Sequence, residues 1–146
     1  MGNGYDYYVL GESKEDSEYV TIGTAKVING VKGKIVKRRN DSDTHTNLPK
    51  YANTSDVYFR QNKKGVCQAR VYIDRKMCLD FDWSHIHHNE GNGKRFNLGT
   101  IHVQIWQSKG NGEFTRLSND ARYMNNSEIK KYGPLIRAFC QSVKFR

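Results

Sequence analysis

The sequence predicts an α+β domain: a twisted antiparallel sheet of about four to six strands with one C-terminal helix packed on it. Three observations carry this. Short β-branched and aromatic runs recur between turn signals from Tyr19 to Trp106. Asn29-Gly30 separates two such runs, and Asn-Gly there is a strong hairpin signal because both residues tolerate positive φ. Helical spacing of apolar residues occurs only near the C-terminus, at Ile129, Tyr132, Ile136, Phe139 and Val143.

Taken in order, Tyr19 to Ile28 and Val31 to Val36 form the first hairpin, and residues 37–50 read as a loop ending near Pro49. Val57-Tyr58-Phe59 is a strand, and Asn62-Lys63-Lys64-Gly65 a turn. From Val66 to Asp74, Cys67, Ala69, Val71 and Ile73 alternate with Gln68, Arg70 and Tyr72, so the apolar set should face the core. Met77, Leu79, Phe81 and Trp83 share one face of the next strand; Asp80 and Asp82 share the other. His85 to Leu98 is a polar, glycine-containing loop. In Thr100 to Trp106, Ile101, Val103 and Ile105 point inward and His102, Gln104 and Trp106 outward. Asn126 or Ser127 caps the helix, Glu128 suits its first turn, and Pro134 should kink or split it.

Length and charge narrow the class. The chain's 146 residues fit one domain, expected over 26–146 behind an acidic arm at 1–25. No apolar run approaches the roughly 18 residues of a membrane span, and the start has neither the basic nor the apolar region of a secretory signal. Asp6 stands where a Gly2 myristoylation motif needs Ser or Thr. Cys67, Cys78 and Cys140 form no CxxC pair and suit buried thiols in a reducing compartment. The net charge of +9 is uneven: −4 over residues 1–25, +9 over 26–76, −1 over 77–100 and +5 over 101–146. Lys26, Lys32, Lys34, Lys37, Arg38 and Arg39 make the second block a surface for polyanions. Tyr72 and Trp106, on polar faces, are available to stack on bases.

Four of the five histidines, His85, His87, His88 and His102, lie in or beside the near-neutral segment, close to Asp80 and Asp82. If the strands on either side of the 85–98 loop pair, His85, His102 and Asp82 converge. Histidine suits proton transfer because either form is accessible near neutral pH. RNA cleavage by its own 2′-hydroxyl needs such a base, an acid for the leaving oxygen, and a cation for the phosphorane charge. Arg70 is the candidate cation, and an Asp behind a His would orient its ring. Two readings compete with this. His85, His87, His102 and a carboxylate would bind a divalent metal, although His-Ile-His is not a standard zinc spacing. Otherwise the loop is solvated and its histidines share no task.

The order of motifs resembles a known family. Gly33-Lys34-Ile35-Val36, Leu48-Pro49-x-Tyr51-x-Asn53-Thr54, Gln68-x-Arg70-x-Tyr72, Leu79-Asp80-Phe81-Asp82-Trp83-Ser84-His85, Gly99-x-x-His102, Trp106, Arg122-Tyr123-Met124-Asn125 and Tyr132-Gly133-Pro134-Leu135-Ile136 follow in sequence. They resemble the toxin-like domains at the C-termini of phage and mobile-element proteins and of polymorphic toxins, over roughly residues 30–138. That resemblance implies a barnase/EndoU/colicin/RelE-like ribonuclease fold and metal-independent cleavage of RNA, often tRNA. It further implies no cofactor, a cognate immunity protein, and action in the cytoplasm of a bacterial or phage-infected cell. The catalytic roles would fall on His85 and His102 with Arg70, Asp80 and Asp82. RNA would dock on Lys32, Lys34, Lys37, Arg38, Arg39, Tyr72 and Trp106. One departure stands out: Gln104 occupies the place of a second family His, and Gln exchanges no proton near neutral pH. If that second His is the catalytic one, either the site is impaired or His87 or His88 substitutes for it. The alternatives remain a non-catalytic phage or mobile-element protein that binds nucleic acid or protein, and a metal-dependent nuclease.

Overall fold

The computed structural model describes residues 19–39 and 47–146. The expected arm lies outside these as far as residue 18, and so does the centre of the 37–50 loop. Residues 19–25, assigned above to the arm, belong to the first strand. The class is α+β, as expected, but the sheet is larger: seven strands in one sheet, plus a two-stranded ribbon. The strands are β1 (Tyr19–Ile28), β2 (Val31–Arg38), β3 (Val57–Asn62), β4 (Gly65–Ile73), β5 (Lys76–Asp82), β6 (His87–His88), β7 (Arg95–Phe96), β8 (His102–Gly110) and β9 (Glu113–Arg116), followed by helix α1 (Asn126–Phe139). The sheet order is β1-β2-β3-β4-β5-β8-β9, and β6 pairs with β7. All strand pairs are antiparallel except β2 with β3, which run parallel.

Turn chemistry sets the hairpins. Asn29 and Gly30 have φ of 56° and 75°, the type I′ geometry expected. Asp74 and Arg75 use the same left-handed region, at 52° and 69°, to join β4 to β5.

The two faces of the sheet are both covered. On one, Phe59, Val71, Phe81 and Val103 pack under α1 through Leu135 and Ile136. Gly33 permits the close approach there: a Cβ on it would lie 2.9 Å from Leu135 Cδ2 and 2.9 Å from Phe59 Cε2. On the other face, Tyr19, Val36, Tyr58, Tyr72 and Met77 pack beneath Leu48 and Ala52.

This second core corrects two expectations. Val71 pairs with Leu79 but Tyr72 with Met77, so β5 carries one extra residue, Cys78. Such a bulge inverts the alternation beyond it. Met77 therefore leaves the face of Leu79 and Phe81 and joins Tyr72. The Leu48–Ala52 segment covers Tyr72, whose hydroxyl donates to the Pro49 carbonyl; at 5 % exposure it is no stacking platform. Ile73, expected inside, is exposed.

Asn125, one residue earlier than expected, caps α1. Its side chain accepts from Glu128 N–H while the Glu128 carboxylate accepts from Asn125 N–H. Pro134 does not split the helix. Pro134 and Lys130, whose carbonyl loses its intrahelical donor, are both exposed, so water can reach the gap. Val143, expected in the helix, follows its end and is buried in the core beside a bridge between Thr100 and Lys144.

Candidate active site

Two cross-strand rows on the face opposite α1 carry the polar residues. Arg60, Gln68, Asp82 and His102 form one row across β3, β4, β5 and β8. Tyr58, Arg70, Asp80 and Gln104 form the next. The pairing of β5 with β8, required for His102 and Asp82 to meet, is present: they are direct cross-strand partners.

In the first row, Asp82 ends β5. Its Oδ1 accepts from Ser84 N–H at 3.0 Å and from the Ser84 hydroxyl at 3.1 Å, closing a local turn. That turn brings His85 back so that its Nδ1 lies 3.3 Å from Asp82 Oδ1. The carboxylate thus faces one nitrogen of an imidazole whose side chain is 53 % exposed.

His102 lies on the face that its parity assigns, opposite α1, but is closed to solvent. Only 1 % of it is exposed, because the 85–98 segment is no simple loop. Its β6–β7 ribbon folds over β8. His87 stacks on His102 with centroids 4.7 Å apart and planes 21° apart, and His85 meets His102 edge-on at 5.0 Å. Phe96, fully buried, flanks both His102 and His87. Asn89 clamps the ribbon: its Nδ2 donates to Ala121 O and its Oδ1 accepts from Ala121 N, each at 2.8 Å. Burial lowers the His102 pKa to about 4; the neighbouring His87, His85 and Arg116 add to that effect, and Asp82 opposes it. His102 is neutral at pH 7. His87 Nε2 and His102 Nδ1 are buried and have no hydrogen-bond partner among the described residues. Of the two histidines named to replace Gln104, His87 joins this cluster, while His88 is exposed on the ribbon. His85, His87 and His102 each offer a nitrogen within 4.8 Å of the others, a grouping able to hold a metal ion.

The second row is built differently. Arg70 Nε donates to Asp80 Oδ1 at 2.7 Å and Nη2 to Oδ2 at 3.0 Å, a bidentate pair. Arg70 Nη1 donates to Leu48 O at 2.8 Å, and Trp106 Nε1 donates to Asp80 Oδ2 at 2.9 Å. Arg70 is thereby committed to the second core and to the 47–52 segment. One exposed cation on this side of the sheet is Arg116 on β9, whose guanidinium lies 4.6 Å from the Trp106 ring centroid. Sequence reasoning missed Arg116, Asn89 and Phe96. Phe96, the lone aromatic among polar residues from His87 to Asn97, was the available signal.

The basic block occupies β1 and β2, not the histidine site. Lys34 is buried, its Nζ 6.0 Å from the Tyr58 centroid, while Lys32, Lys37 and Arg38 are half-buried and Arg39 is exposed. Four inter-strand steps separate β2 from β8, roughly 19 Å at about 4.8 Å each. Half-buried Trp106 has Arg70 and Arg116 against its ring, so it offers less open surface than its parity implied. No helix among the described residues is long and apolar enough to cross a membrane. No family model, curated protein or solved structure matches the chain.

Proposed function

We propose that this chain is a ribonuclease domain of the toxin-like kind, cleaving RNA by metal-independent proton transfer at His85. The observation that carries the reading is the Asp82–His85 contact at 3.3 Å on an exposed edge of the polar face. Asp82 holds the ring and favours the tautomer with a proton on Nδ1, which leaves Nε2 as the base. His85 takes the proton of a 2′-hydroxyl; that oxygen attacks the adjacent phosphorus; the P–O5′ bond breaks; and solvent protonates the departing oxygen. The products are a 2′,3′-cyclic phosphate and a 5′-hydroxyl. Arg116, rather than the committed Arg70, supplies the positive charge beside the phosphorane. His102 acts as a positioning residue beneath His85 and His87. The strand charges at Lys32, Lys37, Arg38 and Arg39 hold the RNA away from the reacting bond. A cognate inhibitor of such a domain would be acidic, and both would act in the cytoplasm.

The test is incubation of purified protein with RNA in EDTA. Cyclic-phosphate ends are expected, and His85→Ala should slow their formation by about 10²–10⁴-fold while its circular dichroism matches wild type. Intact RNA at stoichiometric protein refutes catalysis; salt-sensitive binding without turnover would make the chain a nucleic-acid-binding domain instead.

A further inference from the structure

We propose that His85, His87 and His102 form a three-imidazole site for a divalent transition-metal ion of the zinc class, and that loading it switches the acid–base site off. Metal binding goes beyond the ribonuclease reading; the switching rests on it.

The argument begins with the two orphan nitrogens. Buried polar atoms almost always find a partner, and each exception calls for an explanation. Here two exceptions, His87 Nε2 and His102 Nδ1, belong to rings stacked 4.7 Å apart. A neutral imidazole nitrogen without a proton has a lone pair in its ring plane, and one ion would satisfy both once the two near-parallel rings tilt toward it. His85 supplies the third. With Nδ1 facing Asp82 at 3.3 Å, its Nε2 is the nitrogen left for an ion. A carboxylate behind a ligating histidine is the usual outer-shell arrangement for zinc, because it fixes the ring and raises its basicity.

The donor set selects the metal. Three imidazoles suit zinc, cobalt, nickel and copper; magnesium and calcium need oxygen ligands. Three ligands on a tetrahedral ion leave one open position. Zn–N bonds of about 2.05 Å put neighbouring nitrogens roughly 3.3 Å apart. One nitrogen of each ring lies within 4.8 Å of the others, so closure from that arrangement requires up to about 1.5 Å of movement. The rings differ in their freedom to move. His102 and His87 are held by Phe96 and by the Asn89 clamp. His85 follows the end of β5 with half its side chain in solvent, so its ring turns freely, and a tilt of the half-buried His87 away from parallel with His102 completes the closure. The three ligands come from the β5 end, the β6–β7 ribbon and β8, which explains why no standard spacing shows in the sequence.

Loading has a chemical consequence. A metal bound at His85 Nε2 takes the lone pair that the 2′-hydroxyl proton requires. Metal and proton transfer therefore exclude one another.

The deciding experiment is a titration of cobalt(II) into the full, EDTA-stripped chain, followed by visible absorption and then by zinc displacement. The expected result is one equivalent of cobalt with tetrahedral ligand-field bands, displaced by one equivalent of zinc. His85→Ala and His87→Ala should each weaken binding at least 100-fold, and Asp82→Asn by about 10–100-fold. His88→Ala, an exposed ribbon histidine outside the cluster, should leave it unchanged. His85 is exposed, so its variant folds even if a His87 or His102 variant does not. Absence of the bands, or equal binding by His85→Ala and wild type, overturns the site. In RNA cleavage, stoichiometric zinc should inhibit wild type and a chelator should restore it; stimulation by zinc overturns the switch. If RNA stays intact in every condition, the ribonuclease reading fails and the cobalt titration still decides the metal site.

Discussion

Asp80→Ala tests whether Arg70 belongs to the scaffold or to the chemistry. Side-chain exposure is 11 % for Arg70 and 6 % for Asp80, so the pair is out of water. Asp80 accepts from Arg70 Nε and Nη2 and from Trp106 Nε1. Truncation leaves a buried guanidinium with only the carbonyls of Leu48 and Pro49, and an indole N–H with no acceptor. Removing one partner of a buried ion pair costs about 3–5 kcal/mol. At about 4 °C per kcal/mol for a chain of this size, Tm should fall by roughly 12–20 °C. The double variant Arg70→Met/Asp80→Leu removes both charges; the neutral groups it deprives of these partners, the Trp106 N–H and the Leu48 carbonyl, cost less than a buried uncompensated charge. It should therefore be more stable than Asp80→Ala alone. Urea unfolding of wild type, both single variants and the double variant gives the coupling energy. A loss below about 1 kcal/mol for Asp80→Ala, or additive single losses, would refute the reasoning, because a solvated pair behaves that way.

Three further outcomes follow from separate parts of the fold. Gly33→Ala forces a methyl to within 2.9 Å of Leu135 and Phe59; it should cost about 1–3 kcal/mol in urea unfolding, and a neutral result would mean α1 shifts freely. Asn89→Ala removes both hydrogen bonds to the Ala121 backbone; hydrogen exchange should accelerate in β6, β7 and around Ala121 well before β4 is affected. Glu128 gives a pH dependence. Burial tends to raise its pKa, but the Arg122 hydrogen bonds and charge and the Asn125 N–H outweigh burial and lower it. Its contribution is then complete above the unfolded value near 4.3 and lost as pH falls through the folded value. Glu128→Gln should therefore flatten the acid limb of a stability profile measured between about pH 5 and 2, and an unchanged limb contradicts the assignment.

Much of the α+β class was legible because local chemistry dictates it. Asn29-Gly30 forms its turn, and Leu79, Phe81, Ile101 and Val103 are buried as their alternation requires. The convergence of Asp82 with His85 and His102 was also readable, since it depends only on β5 pairing with β8. What escaped depends on contacts between distant segments. Alternation places Tyr72 correctly with Arg70, but nothing local shows that residues 47–52 will cover that face. The Cys78 bulge reverses Met77 without any glycine or proline to mark it. His102 was assigned outward by parity and is buried by a ribbon whose anchor, Asn89, bonds a residue 32 positions away. Arg70 was chosen as the free cation because an arginine on a polar strand face is usually solvated; the segment that desolvates it is again 47–52.

The two polar rows have different roles but share their strands, and this governs how any functional variant must be read. Gln68 and Arg70 are two residues apart on β4, as are Asp80 and Asp82 on β5 and His102 and Gln104 on β8. Such neighbours on one face stand only about 6.6–6.8 Å apart. A substitution that loosens the Arg70–Asp80 pair relaxes the same stretch of β5 that sets the direction of Asp82, and through it His85. Loss of activity in an Arg70 variant is therefore compatible with a purely structural arginine. Arg70→Lys separates the cases. Lysine keeps the positive charge but loses the bidentate fork, so a scaffold role predicts lost stability with cleavage recovered at low temperature, where the strands reorder. A phosphorane-stabilising role predicts a stable protein with a lasting defect. The exposed Arg116 lies on β9, outside both rows, and Arg116→Ala should leave unfolding unchanged while it slows cleavage, so the two arginines can be told apart in one pair of measurements.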